Sequence, residues 1–287
     1  MVVSEAVLAA PVRTRTGRVL GSLNKAGAVT AIGAFVLITA VALFASVFAP
    51  YPAGAIAGDP GLPPGSPGHI FGTDDNGRDL LSRALFGVQT SWLSALAIVA
   101  LGLLVGGLIG LIAGASGGRI DTVLMRITDG FLALPAPLLA VAIVAALGPS
   151  LLHTLIAVSI VWWPYYTRIV RGEVAALAAR PHVEAARLAG AGPVSLVLRH
   201  LLPGVIPSSV VAASQDVGNV ILTLAALSFL GLGAPAPAAE LGADTARNMS
   251  ALLNNWWIPV VPGVTVGLLS LVATVSGDGI NTFVRRR

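Results

Sequence analysis

The sequence predicts an all-α, polytopic membrane protein with six transmembrane helices and both termini inside. Three observations carry this. The 287 residues are 55% hydrophobic and only 10% charged, with a mean hydropathy of +0.87, whereas soluble domains carry about 25% charged residues. Six apolar stretches, about 27–49, 91–114, 127–147, 151–167, 205–232 and 258–276, approach the roughly 20 residues a helix needs to cross a bilayer core. With the N-terminus inside, all but three of the 17 basic residues (Arg78, Arg83 and Arg247) fall on the inner side, as topology rules require. The external loops instead hold Asp59, Asp74, Asp75, Asp79, Glu240 and Asp244.

The net charge of +4 therefore maps topology. A nucleic-acid partner is not expected, because such binding needs basic residues clustered on a folded, soluble face; membrane lipid is the surrounding partner. With no cysteine, disulfides, thiolate metal sites and cysteine nucleophiles are excluded.

Along the chain, residues 1–26 form a cytoplasmic N-terminal segment, and 27–90 hold the first membrane helix and an external loop. A cleaved signal peptide competes for the first run, with Arg13 to Lys25 as basic region and Ala55-Ile56-Ala57 as cleavage site. Its length exceeds the usual 7–15 apolar residues of such a segment, so we expect a retained helix. In the loop, Asp74, Asp75, Arg78, Asp79 and Arg83 alternate sign at helical spacing after Asn76-Gly77. A docking patch and a solvated interfacial helix lying on the membrane are the two readings.

Residues 91–280 form a core of five helices. Gly102, Gly106, Gly110 and Gly114 recur every four residues on one face of the second run, which lets another backbone approach closely; static packing is favoured over a sliding contact. Asp129, Pro135 and Pro137 mark the third run. The prolines read as a kink or a hinge, and Asp129 as an i,i+3 partner of Arg126. In the fifth run, Asp216 lies beside Gln215 and near Asn219. Intramembrane carboxylates are costly and face a cavity or a partner. Asp216 therefore lines a solute route, with Gln215 and Asn219, or pairs with a neighbouring helix. On the first reading Asp216→Asn lowers uptake with assembly intact. Trp256-Trp257 fit an interfacial anchor before the sixth run, and 281–287 form a basic cytoplasmic tail.

Between the fourth and fifth runs, 168–204 is too polar to span and too regular for a linker. Val183 to Ala189 is helix-forming, Gly190 is a left-handed stop and Pro193 starts another helix. Two short helices in an L, ended by Pro203, would make an exposed docking knob for a soluble partner.

This segment resembles the EAA motif of ABC importer permeases: Glu184-Ala185-Ala186, then Gly190, with Leu202-Pro203 closing it. His200 and the segments His69–Arg83, Met125–Asp129 with Pro135, Leu227–Gly233, Trp256-Trp257, Pro262-Gly263 and Gly277–Gly279 resemble the C-type subunits of dipeptide/oligopeptide permeases. The resemblance covers about residues 25–280. It departs where Leu224 replaces an acid many relatives carry.

The resemblance implies a type I ABC importer permease fold in a bacterial cell membrane. Glu184, Ala185, Ala186, Arg187, Gly190, Gly192, Leu202 and Pro203 would couple to ATPase subunits. It further implies a homologous second permease of the B type, one or two P-loop ATPases and an extracytoplasmic substrate-binding protein, which Asp74, Asp75, Arg78 and Asp79 would dock. This chain is not itself an enzyme. Its only lysine is Lys25 and it has no P-loop, so no cofactor is expected on it, and ATP and Mg belong to the ATPases. Relatives in the same family carry peptides, nickel complexes, glutathione or haem. An ion-coupled secondary transporter would leave the EAA segment unexplained, and neither a metal-binding histidine pair nor a hydrolase motif is present.

Overall fold

A computed structural model describes residues 15–284, with side chains from 27 to 282. Arg13, Arg285, Arg286 and Arg287, and with them parts of the expected terminal segments, lie outside the described residues. Described in chain order, α1 is Arg15–Leu43, α2 Ala45–Phe48, α3 Leu80–Ser116, α4 Gly118–Leu132, α5 Ala136–Leu147 and α6 Leu151–Ala178. Then follow α7 Pro181–Leu188, α8 Pro193–Leu196, a π turn Val197–Leu201, α9 Leu202–Phe229, α10 Leu241–Arg247, a 3-10 turn Met249–Leu253 and α11 Trp257–Val284.

Local sequence sets several of these ends. The Asp79 carboxylate accepts the Ser82 N–H at 2.8 Å and starts α3, and Ser150 does the same for His153 N–H at the head of α6, both side-chain N-caps. Capping starts α3 eleven residues before the apolar run, because Arg83, Gln89 and Thr90 hide the helix from a hydropathy reading. Its 37 residues extend about 55 Å at 1.5 Å per residue, longer than the membrane core, so its first turns stand outside.

Among the described residues, three stretches, Leu80–Ser116, Pro193–Phe229 and Trp257–Thr282, are long and apolar enough to cross a membrane alone. The third expected run, 127–147, is not one helix. It breaks between Leu132 and Ala136, and α4 and α5 meet at 80°. Pro135 has no N–H to continue the ladder, and the break falls at the prolines expected to kink or hinge this run. Counted as one span the pair makes a fourth. Two further segments run beside these: Gly27–Leu43, shorter than a span, and α6, with Trp162, Trp163, Tyr165, Tyr166 and Arg168 in its middle.

The core lies where α3, α5, α6, α9 and α11 converge, around Trp92, Ile98, Val144, Val158, Tyr166, Val217, Ile221 and Leu227. The glycine ladder of α3 faces α6 in parallel register. A Cβ on Gly102 would meet the Tyr166 ring, on Gly106 the Trp163 carbonyl, on Gly110 the Thr167 carbonyl and on Gly114 Val174. The two helices are in close contact over more than three turns. α9 and α11 cross as closely, with Gly277 against the Gln215 backbone and Gly218 against Ser270 and Thr274. Side-chain bonds fasten α1 on this core. Trp92 Nε1–H donates to Thr39 Oγ1 at 3.0 Å and Ser276 Oγ–H to the Ala31 carbonyl at 2.6 Å. One end of the bundle carries Arg119, Arg171, Arg187 and Arg199, and the other carries the acid-rich loops.

Candidate functional site

The elbow at the basic end is built from its sequence one hydrogen bond at a time. Pro181 begins α7, where its missing N–H costs nothing, and the Val183 and Glu184 N–H groups return to the Arg180 carbonyl at 3.0 and 3.2 Å. Gly190 follows the helix at φ +86°. Its N–H donates to the Arg187 carbonyl (3.1 Å) and that of Ala191 to the Ala186 carbonyl (3.0 Å). This 5→2 and 6→1 pair is a Schellman stop. It gives the motif spacing a physical meaning: Ala186 sits four positions before the left-handed glycine because its carbonyl closes the 6→1 bond. Ala186 and Ala191 both pack on the buried cluster beneath the elbow.

Val183, fully buried, anchors α7 against Val174, Leu177, Leu196 and Leu201. Glu184 and Arg187, placed favourably for the helix dipole in the first and last turns, are exposed, as are Ala185, Gly190 and Gly192. Leu188 is 84% and Val194 71% exposed. Beside them opens an apolar groove of about 590 Å³, lined by Val183, Arg187, Val194, Leu198 and Leu201 among others. Exposed apolar residues grouped beside charges mark an interaction surface.

The expected end of the second short helix at Pro203 is not observed. Pro193 to Phe229 run on as one 37-residue stretch. Pro203 removes a donor and crowds the carbonyl four residues back, and the wide π turn at Val197–Leu201 opens the spiral enough to absorb it. Leu202 is half-buried against the elbow cluster and Pro203 exposed. The elbow is therefore rigidly continuous with a membrane-crossing helix.

Asp216 sits midway along α9 and is 5% exposed. Trp162 Nε1–H and Tyr166 O–H (2.8 Å) both donate to its Oδ2, and Asn219 Nδ2–H donates to Oδ1 at 3.3 Å. The carboxylate is enclosed between α6 and α9. Gln215 instead turns to α11, donating to Asp278 at 2.9 Å, and Asn219 is exposed. Ser208, Gln215, Asn219 and Thr223 share one face of α9. Near its basic end a cavity of about 450 Å³ is lined by Glu173, Ser208, Gln215 and Asn281 with several apolar residues.

The external charges do not form the expected interfacial helix. Asp74 and Asp79 are 3% and 2% exposed, Arg83 4%. The Asp74 carboxylate accepts the Asn76 and Arg78 N–H groups at 2.8 and 2.9 Å, an Asx turn that Asn-Gly favours. Asp79 pairs with His69 at 2.9 Å and caps α3. Within the Asp74–Arg83 cluster Asp75 is exposed and Arg78 half-buried. The sequence reading missed the role of Arg83, which pairs with Asp244 at 2.6 Å and donates to the carbonyls of Ala53, Pro237 and Ala238 at 3.0, 3.4 and 3.3 Å. It rivets the first external loop to the last. Beside it, burial pushes the Glu240 carboxyl up, opposed by the Ala243 and Gly242 N–H groups it accepts.

The expected Asp129–Arg126 pair is also corrected. Asp129 bonds Arg168 of α6 at 2.7 Å, because the break at Pro135 turns α4 so that its acids face α6. Nothing in the spacing signals partners 39 residues apart.

Comparison with known proteins follows the same lines. Residues 106–287 match the family model described as binding-protein-dependent transport system inner membrane component. The chain is 40% identical over 252 residues to the "Probable D,D-dipeptide transport system permease protein DdpC" of Escherichia coli (strain K12), covering 88% of this chain and 85% of that one. It is 41% identical over 260 residues to the di/tripeptide transport system permease protein DppC of Pseudomonas aeruginosa (strain UCBPP-PA14), covering 88% and 86%. In fold it resembles an inward-facing structure of the MetNI methionine ABC transporter, with TM-score 0.56 and 22% identity over 72% of this chain and 95% of that one.

Proposed function

We infer the function from one premise: the chain belongs to the family of binding-protein-dependent transport system inner membrane components. It is a permease component of an ABC importer, with the fold of type I importer permeases. We propose that its solute is a dipeptide or oligopeptide, because the relatives it matches at 40% and 41% identity carry dipeptide and di/tripeptide names. On this reading the basic end faces the cytoplasm and both termini lie there. A homologous second permease completes the pathway, an extracytoplasmic binding protein delivers solute, and one or two P-loop ATPases supply energy with their own ATP and Mg.

One observation carries the coupling role. A Schellman-locked helix presents Glu184, Arg187 and Leu188 outward, while Val183 keys it into the bundle and, after the turn at Gly190, Pro193 onward runs unbroken into α9. A push on α7 from an ATPase pair closing on ATP is transmitted to α9 through the packing of Val183 on Leu196, Leu201 and Val205. Ala185, Gly190 and Gly192 allow close approach of the partner, Ala186 supports them from the bundle side, and Leu202 and Pro203 form the rigid junction.

For the pathway, the stripe Ser208–Gln215–Asn219–Thr223 supports Gln215 and Asn219 as lining groups, since polar side chains on a membrane helix face water or a partner rather than lipid. Asp216 supports that wall from behind by holding α9 to α6. Outside, Asp75 and Arg78 are the accessible parts of the binding-protein dock, on a platform that Asp74, Asp79 and Arg83 stiffen.

A tagged chain expressed with its partners tests the coupling role. Wild type should retain P-loop ATPases in detergent. Glu184→Gln with Leu188→Lys, both exposed, should lose them with at most a small fall in melting temperature from the lost first-turn charge. Gly190→Ala meets no neighbour but strains φ by about 1–2 kcal/mol, and should weaken retention through the elbow alone. Uptake by the isolated chain along an ion gradient in ATPase-free liposomes would refute the proposal.

A further inference from the structure

We propose that α4 is a lipid-binding helix that lies at the membrane surface at the basic end and holds anionic phospholipid headgroups, a role independent of which solute is carried. The helix is amphipathic, and its surface divides by charge. Both of its acids are paired with α6: Asp121 accepts both the Nε–H and an Nη–H of Arg171, and the exposed Asp129 accepts from Arg168 at 2.7 Å. Arg119 and Arg126 are exposed and form no ion pair or side-chain hydrogen bond with the described residues. The unpaired charge of α4 is therefore wholly positive.

Between those arginines runs an apolar stripe. Ile120, Val123 and Ile127 follow i, i+3, i+7 spacing and are 54%, 59% and 51% exposed, and Val123 lies one turn from each arginine. Full immersion in hydrocarbon would strand the guanidinium groups, and full exposure to water would strand the stripe. The headgroup boundary satisfies both, with apolar side chains in the acyl region and guanidinium groups reaching outward. The 80° bend at Pro135 permits this, because α4 need not follow the direction of α5. Two unpaired cations with no exposed, unpaired acid on the helix select an anionic headgroup, and guanidinium groups pair with phosphate in a bidentate manner.

This chain has no cysteine of its own, so once partner-subunit thiols are blocked a single label site can be placed on it. Ile127→Cys carries a polarity-sensitive fluorophore in the complete complex, reconstituted in vesicles of phosphatidylcholine alone or of phosphatidylcholine and phosphatidylglycerol in equal parts, with bromines near the headgroup as quencher. We expect quenching in both, stronger when the brominated lipid is phosphatidylglycerol. That preference should fall about fivefold for each arginine replaced in Arg119→Gln and Arg126→Gln, and return with lysine at both positions. A reporter shielded from brominated lipid in the complex would overturn the proposal and assign this face to a protein subunit. Quenching with no preference for phosphatidylglycerol, or a preference untouched by the glutamine variants, would also overturn it.

Discussion

Replacing Gly106 with alanine should force α3 and α6 apart, and replacing its neighbour Gly107 should not. A Cβ at Gly106 would overlap the Trp163 carbonyl oxygen and stand 3.0 Å from the Thr167 nitrogen and from Tyr166 Cβ. Two of these atoms belong to the backbone of α6, so no rotamer change relieves them. Overpacking of this kind costs about 1–3 kcal/mol, and the rigid obstruction places Gly106 toward the upper figure. Alanine regains up to about 1 kcal/mol of helix propensity. The net loss is about 1–2 kcal/mol, or a few degrees in melting temperature at ~2–4 °C per kcal/mol. At Gly107 the new atom meets only Leu103 and Val170 side chains at 3.9 and 4.0 Å, ordinary contact, so the propensity gain stands alone. Melting of the two variants in the same detergent reads the difference, and uptake per folded complex reads function. Static packing leaves that uptake unchanged, while a sliding interface lowers it beyond the stability loss. Equal melting temperatures for the two variants would refute the backbone contact itself.

Three further outcomes follow from the charges. Arg83→Met leaves Asp74 and Asp244 buried with only Arg247, at 3.0 Å from Asp244, still in place. A loss of about 3 kcal/mol is expected, with poor recovery by Arg83→Lys because a point charge cannot serve several carbonyls at once; thermal melting checks both. Asp216→Asn keeps an oxygen for the Trp162 and Tyr166 donors and should leave assembly and uptake near wild type. Asp216→Leu strands both donors at about 1–3 kcal/mol each, and Asn219→Leu should lower uptake alone; uptake in reconstituted vesicles separates them. For Glu240, burial raises the folded carboxyl above its usual 4.5, so the fold favours the protonated form. Its contribution is complete in acid below the unfolded value and is lost as pH rises through the raised folded one. Melting temperature followed upward from pH 4.5 should show that decline, and Glu240→Gln should remove that part of it.

Much of the elbow was legible in the sequence because its geometry is local. Pro181, the Ala186–Ala191 bond and the left-handed Gly190 close within a few residues, and no distant segment is needed to specify them. Membrane residence was equally legible, since hydropathy and charge placement are sums over composition. The end of the elbow was misread at Pro203 because a π turn is a compromise between neighbouring turns, invisible in residue type.

Tertiary packing alone decided the rest. Asp216 gained Trp162 and Tyr166, Asp129 gained Arg168 rather than Arg126, and Arg83 joined loops more than 150 residues apart. A charge in the sequence states that a partner or water is needed, because desolvation is costly wherever the group is buried. Which partner it receives depends on how helices cross, and here the glycine ladder of α3 and the 80° turn at Pro135 set those crossings. The chain encodes its environment and its turns one residue at a time; the pairing of its few charges is a property of the packed bundle.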